Sequence, residues 1–384
     1  MSLLGTVDPA EFLARYWQKR PLVLRGTVDP SLVAISPEEL AGFALEEEIE
    51  SRLITEDPAT GKWQLQHGPL DEADFGRLPE SHWTLLVQSL DYFYPGLDSL
   101  IDACDFLPRW RLDDVMVSFA TRGGGVGPHV DRYDVFLVQV QGRRRWRIGD
   151  TDTDTTACLP HPEISQIPPF EPILDLIAEP GDVLYVPPGV PHWGVALDDS
   201  ITCSVGFRAP SARDLVLSWA DELGHRENCQ QALYSDCDTL IGDSARDLLP
   251  DNLLRWAGQH LSQAATDAEL SALALGKLVT RLKYPEFAEA EEEISGEDLL
   301  TALAGGAVLR HRHPGRACMT VGDTAYLFVN GAAIRVTPAL APLAKLIVER
   351  QALGQEHIAP WLADPEALLL IRFACNLNYF HISV

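Results

Sequence analysis

Between residues 113 and 208 apolar and polar positions alternate in short runs: VMVSFA, DVFLVQVQ, RRRWRIG, DVLYVP, HWGVAL and ITCSVGF. Clusters of Gly, Pro and Asp separate them. Period-two alternation at this spacing predicts short antiparallel strands closing into a sandwich or barrel. The texture differs on either side. Residues 1 to about 100 carry short amphipathic stretches (AEFLARYW, PEELAGFALEEEIESRL, HWTLLVQSL) between Gly/Pro turns. From 211 to about 282 the apolar period is helical (ARDLVLSWADELGHR, SARDLLPDNLLRWAGQHL, DAELSALALGKLVTRL). An acidic connector, Glu286 to Asp298, leads to a helix (EDLLTALAG), a hairpin (ACMTVG, TAYLFV, AAIRV), two further helices and a last strand. That order predicts a winged-helix-like module. The expected class is therefore α+β, with a barrel domain and its N-terminal α/β elements over 1–210, helices over 211–285 and a C-terminal module over 286–384.

The barrel region holds the candidate chemistry. His129 and Asp131 stand at i and i+2, so on a strand an imidazole and a carboxylate point to one face. His192 follows the turn PPGVP at the start of another strand, and antiparallel barrel topology brings such a residue across the lumen. Two His and one Asp form the facial triad that suits non-haem Fe(II) and leaves positions open for a cosubstrate and O2. A lone H-x-D is weak; its combination with a turn-borne His in strand-rich sequence is much stronger. His67, His82, His161 and His260 have no such partner pattern and read as ordinary surface or core residues.

A second pattern names the cosubstrate class. In RRRWRIG one face carries Arg143, Arg145 and Arg147, which belongs in solvent; the other carries Arg144, Trp146 and Ile148, which points inward. A guanidinium inside a barrel needs an anionic partner, and its planar fork matches a carboxylate. A dicarboxylate such as 2-oxoglutarate could chelate iron at one end and meet Arg144 at the other. The alternative is an internal ion pair, for example with Asp182. In ITCSVGF the face of Thr202, Ser204 and Gly206 is small and polar and is expected to line the lumen, with a hydroxyl for the cosubstrate. Ser118 in VMVSFA is an equally eligible helper.

The charge narrows the partners. Thirty basic against fifty-six acidic residues give a net charge of −26, which repels nucleic acid and anionic membranes and favours a basic protein partner, or serves solubility alone. Asp113, Asp114 and Asp134 lie close to the site in sequence. The short basic cluster Arg310, His311, Arg312, His313 and Arg316 leaves DNA binding by the C-terminal module a weaker alternative to a structural or protein-binding role. Seven Cys form no C-x-x-C pair, so neither a disulfide framework nor a thiolate zinc site is expected. The N-terminal segment has no apolar core of a signal peptide and no run spans a bilayer; a cytoplasmic location is expected. Apolar positions such as Leu215, Leu217, Trp219, Leu253, Leu254 and Trp256 exceed what one helical layer covers, which predicts a homodimer through 211 to about 282, with packing on the barrel as the alternative.

The segments DDVMVSFA, GGGVGPHVDRYDVFLVQVQGRRRWRIGD, GDVLYVPPGVPHWG and SVGFRAPS resemble the JmjC-type 2-oxoglutarate oxygenases, most nearly the bacterial ribosomal oxygenases of the YcfD type. The resemblance is dense from about 113 to 211. It implies a double-stranded β-helix (a cupin-like jelly roll), a helical dimerisation region and a C-terminal winged helix. It also implies iron on His129, Asp131 and His192, cosubstrate on Arg144, and hydroxylation of an arginine of large-subunit protein L-sixteen. Related enzymes often place a hydroxyl three residues before the first ligand; here that residue is Val126. Histidyl hydroxylation of another ribosomal protein, lysine demethylation and a non-catalytic cupin remain the competing readings.

Overall fold

The structure is a computed structural model that describes residues 2–156, 159, 164–235, 249, 251–288, 290, 292–322 and 325–383. It divides into two compact units, 1–209 and 210–384. His161 and the part of the expected helical region at 236–248 lie outside the described residues.

The first unit begins with short helices whose entries are set by side-chain caps. Asp8 accepts from the Glu11 amide ahead of α1 (Pro9–Arg15), and Ser36 and Glu39 form a reciprocal capping box at α2 (Pro37–Phe43). Two further short helices follow, α3 (Glu72–Gly76) and α4 (Asp98–Asp102). The strands in chain order are β1 (Leu22–Leu24), β2 (Ser51–Asp57), β3 (Lys62–His67), β4 (Trp83–Val87), β5 (Leu112–Ala120) and β6 (His129–Val130). There follow β7 (Asp134–Gln141), β8 (Arg144–Ile148), β9 (Leu174–Ala178), β10 (Val183–Val186), β11 (Pro191–Ala196) and β12 (Ser200–Phe207). They form an antiparallel sheet of order β1-β10-β7-β12-β5-β4-β2-β3 and a smaller one of order β6-β11-β8-β9, the two-sheet jelly roll that the alternation predicts.

Within the expected N-terminal α/β elements, residues 51–87 supply β2, β3 and β4, which extend the large sheet beyond the jelly roll.

Alternation along β7 and β12 assigns each side chain to one of two cores. Phe136 and Val138 of β7, with Ile201, Cys203, Val205 and Phe207 of β12, join Phe12 and Tyr185 in the core on the helical side. Val135 and Leu137 of β7 turn the other way, into a core with Trp146, Ile148, Leu184 and Val186. The small face of β12 is thereby left for the lumen.

The second unit opens with α5 (Ala212–Gly224), α6 (Glu227–Gln231), α7 (Asp251–Ala265) and α8 (Ala268–Thr280). Helix α5 lies on α8, where Ser218 Oγ donates to Ala274 O and Lys277 pairs with Glu222 at 2.6 Å. The remaining elements are α9 (Gly296–Ala304), β13 (Val308–His311), β14 (Ala317–Met319), β15 (Ala325–Val329), β16 (Ala332–Val336), α10 (Ala341–Glu349), β17 (Ala352–Leu353), α11 (Gln355–Ile358), α12 (Pro365–Asn376) and β18 (Phe380–Ser383). Two three-stranded sheets, β14-β15-β16 and β17-β13-β18, enclose a core of Leu299, Leu327, Leu343 and Ile371. This is the helix–hairpin–helix module expected. Its basic cluster is not one exposed patch: Arg316 is buried and donates to Arg281 O, and Arg312 donates to Asn378.

Candidate metal centre and cosubstrate cavity

The glycine-rich run before His129 lets the chain pass close to β11. A Cβ on Gly125 would stand 2.4 Å from Gly194 O, so only glycine permits this approach. Strand β6 then pairs with β11 so that His129 and His192 face each other across the ladder, their ring centroids 4.2 Å apart. Asp131 lies just beyond β6, with Oδ2 at 4.0 Å from His129 Nε2 and 3.5 Å from His192 Nε2. Two ligands at right angles around an ion bound at about 2.1 Å are about 3 Å apart, so a small contraction brings the three onto one ion.

Each imidazole is oriented by the carbonyl two residues before it. His129 Nδ1 donates to Gly127 O at 3.0 Å, and His192 Nδ1 donates to Val190 O at 3.1 Å. Both Nε2 atoms therefore face Asp131, which makes them the nitrogens a metal would take. Burial, and then the neighbouring His192, lower His129 to about 4. Burial pushes the Asp131 carboxyl up, but its hydrogen bond to His192 and the two imidazoles outweigh this and hold it below the ordinary carboxylate range. The centre thus offers two imidazole Nε2 atoms and one carboxylate, a donor set that fits Fe(II).

The triad lines a cavity of about 270 Å³, whose wall also includes Arg144, Trp146, Ser118 and Ser204. The alternation in β8 falls as the sequence predicts. Outside, Arg143 pairs with Asp198, Arg145 pairs with Asp175, and Arg147 lies over the Trp193 ring at 4.5 Å. Inside, Arg144 is 5% exposed and rests 5.7 Å from the Trp146 ring, with no hydrogen-bond partner for Nε or Nη2 among the described residues. The expected alternative partner, Asp182, is engaged by Arg25 and by the amides of Gly26 and Glu179. Burial lowers Arg144 to about 10, so it keeps its charge at neutral pH. A buried guanidinium with no ion-pair partner among the described residues, in the same cavity as the triad, suits a small anion.

The three candidate hydroxyls separate. Ser118 and Ser204 line the cavity, with Ser118 donating weakly to Thr202 O at 3.3 Å. Thr202 is committed elsewhere, donating to Gln139 Oε1 at 3.0 Å. Val126 supplies an apolar stretch of the wall.

The acidic candidates differ in their surroundings. Asp134 is fully buried and accepts from Tyr185, Gln18 and Arg111. Asp114 accepts from Gln88 and Ser89, and Asp113 lies 3.7 Å from Arg208. Asp134 and Asp114 are thus held in internal hydrogen bonds, whereas Asp113 stays partly exposed. Sequence reasoning also missed the wall given by β2, β3 and β4, including Arg52, Ile54, Leu65 and Leu86. The alternation in KWQLQH, with Trp63 and Leu65 on one face, was the available signal.

Comparison with known proteins agrees with this geometry. The JmjC domain family matches residues 99–215, and a ROXA-like winged-helix family matches residues 243–372. Ribosomal protein uL16 3-hydroxylase from Escherichia coli K12 is 39% identical over 378 residues, covering 98% of each chain. The X-ray structure of E. coli ycfD has a TM-score of 0.83 at 36% identity over all of both chains. That of YcfD, a ribosomal oxygenase from E. coli, in complex with cobalt and 2-oxoglutarate has a TM-score of 0.80 at 36% identity over 99% of each. The similarity runs along nearly the whole length, and the chain belongs to the JmjC-domain ribosomal oxygenases.

Proposed function

We infer that the protein is an Fe(II)- and 2-oxoglutarate-dependent hydroxylase of a basic ribosomal protein, with an arginine of uL16 as its target. The observation that carries this reading is Arg144, a buried cation with no ion-pair partner among the described residues, in the cavity lined by His129, Asp131 and His192. When bound, iron supplies activation of O2 coupled to decarboxylation of 2-oxoglutarate, the chemistry that oxidises an unactivated C–H bond. The three side chains hold the metal on one face and leave the other positions open. Arg144 takes the distal carboxylate of the cosubstrate and fixes its direction. Ser118 and Ser204 are the hydroxyls placed to supplement it. Trp146 and Val126 keep that end dry, which strengthens the ion pair.

Supporting features extend the proposal. Net charge −26 draws a basic substrate and disfavours direct nucleic-acid binding. Among the described residues no helix is long and apolar enough to cross a membrane, in keeping with a cytoplasmic site of action. Val216, Leu217, Leu254 and Leu261 remain exposed on α5 and α7, which supports a homodimer through the helical region. The proposed organisation is catalytic over 1–210, dimerising over 211–285 and winged-helix over 286–384. Intact-mass analysis of ribosomal proteins, incubated with enzyme, Fe(II) and 2-oxoglutarate, tests the activity. One added oxygen on a uL16 arginine is expected. Oxygen on a histidine of another protein moves the target, and no gain on any ribosomal protein removes the function.

A further inference from the structure

Beyond the ligands lies a segment that neither the triad nor the cosubstrate reading explains. Residues 164–167 run alongside the chain that carries His129. Gln166 is 3% exposed and its side-chain amide donates to Val126 O at 2.9 Å. The next amide, Ile167 N, donates to Pro128 O, also at 2.9 Å. These two bonds fall on either side of Gly127, whose own carbonyl orients His129. Gly127 has φ +78°, and a Cβ there would stand 2.2 Å from Gln166 Nε2. Carbonyls 126 and 128 thus point to the strap while carbonyl 127 points to the imidazole. The neighbouring Ile164 and Ser165 line the cavity.

We propose that Gln166 is a positioning residue for the metal ligand His129, acting through the Val126 carbonyl and the backbone of Gly127. The inference rests on the metal reading of the triad. Strand β6 has only two residues, too few to fix its own carbonyls, so the orientation of Gly127 O depends on what clamps its flanks. Loss of the amide donor frees Val126 O to rotate and lets the imidazole drift from the axis shared with Asp131 and His192. Outer partners of metal-bound histidines typically govern metal affinity by 10- to 100-fold. As Gln166 acts one bond further out, about tenfold is expected.

The test titrates the metal-free protein with Co(II), following its visible absorption. Gln166→Met keeps the volume and removes the donor. It should weaken Co(II) binding about tenfold, while the affinity of the Co(II)-saturated protein for 2-oxoglutarate changes less than twofold. Gly127→Ala should weaken metal binding as well, and part of its penalty should vanish in Gly127→Ala/Gln166→Ala, where the facing amide is gone. Equal Co(II) affinity in wild type and Gln166→Met overturns the proposal. So does additivity of Gly127→Ala and Gln166→Ala, or a parallel loss of melting temperature, metal affinity and cosubstrate affinity. Failure of the wild type to bind Co(II) at all would instead remove the proposed function.

Discussion

At the scale of single residues the unusual feature is a charge left alone. Arg144 has no acidic partner among the described residues, and Asp182 is already engaged. A buried unpaired charge costs stability, so Arg144→Met should raise the melting temperature of the metal-free, cosubstrate-free protein. The same change should weaken 2-oxoglutarate at least tenfold, about 1.5–3 kcal/mol. A variant that melts lower and binds 2-oxoglutarate normally would place the anion site elsewhere. Replacing His192 or Asp131 by Ala should abolish Co(II) absorption while circular dichroism stays native. The triad and Arg144 were legible because each combines a residue type with a strand period: H-x-D before a strand, an Arg in phase with Trp and Ile. Gln166 was not legible. It lies in an irregular segment, and its role arises from a carbonyl that only the folded chain brings near.

At the scale of elements, exposure decides what an ion pair contributes. Arg145 and Asp175 are paired bidentately on the outer face of the small sheet, both substantially exposed. Arg145→Ala should change stability by less than about 1 kcal/mol and leave cosubstrate affinity intact. Asp134 is the contrary case, joining Gln18, Arg111 and Tyr185 at full burial. Asp134→Ala leaves those donors without an acceptor and should cost about 3–5 kcal/mol in chemical denaturation. Loss below about 1 kcal/mol would show that water replaces the carboxylate. The jelly-roll strands were legible since burial on one face imposes period two. The hairpin β2–β3 was obscured because β2 buries the adjacent Leu53 and Ile54 in two different cores, which breaks period two.

For the whole molecule, charge and exposed leucines set the expectations. If the helical region joins two copies, Leu217→Asp with Leu254→Asp should convert a dimer to a monomer in sedimentation, with the catalytic unit still binding Co(II). A wild type that sediments as a monomer at micromolar concentration removes the dimer. Binding of a basic ribosomal protein should weaken steeply with salt, because the Debye length falls from about 10 Å at 0.1 M to about 3 Å at 1 M. A salt-independent affinity would assign the −26 charge to solubility alone. The division into β-rich and helical parts was legible from the change of period near 211. How β2–β4 enlarge the cavity was not, since it depends on which edge of the sheet they join.

The ladder between β8 and β11 sets Arg144 opposite Ala196 and Ile148 opposite His192. The span from Arg144 to Ile148 is about 13 Å of strand at 3.3 Å per residue. That registry makes the cavity a gauge. The cation and the metal ligands are fixed to the same rigid ladder, so their separation cannot stretch to suit the molecule between them. A keto-diacid with one methylene fewer or more can satisfy one end but not both. Its inhibition of 2-oxoglutarate binding should therefore be weak compared with that of a diacid of matching length. Selection for chain length is thus written into hydrogen-bond pairing, and a one-residue slip of β8 would carry the guanidinium to the outer face.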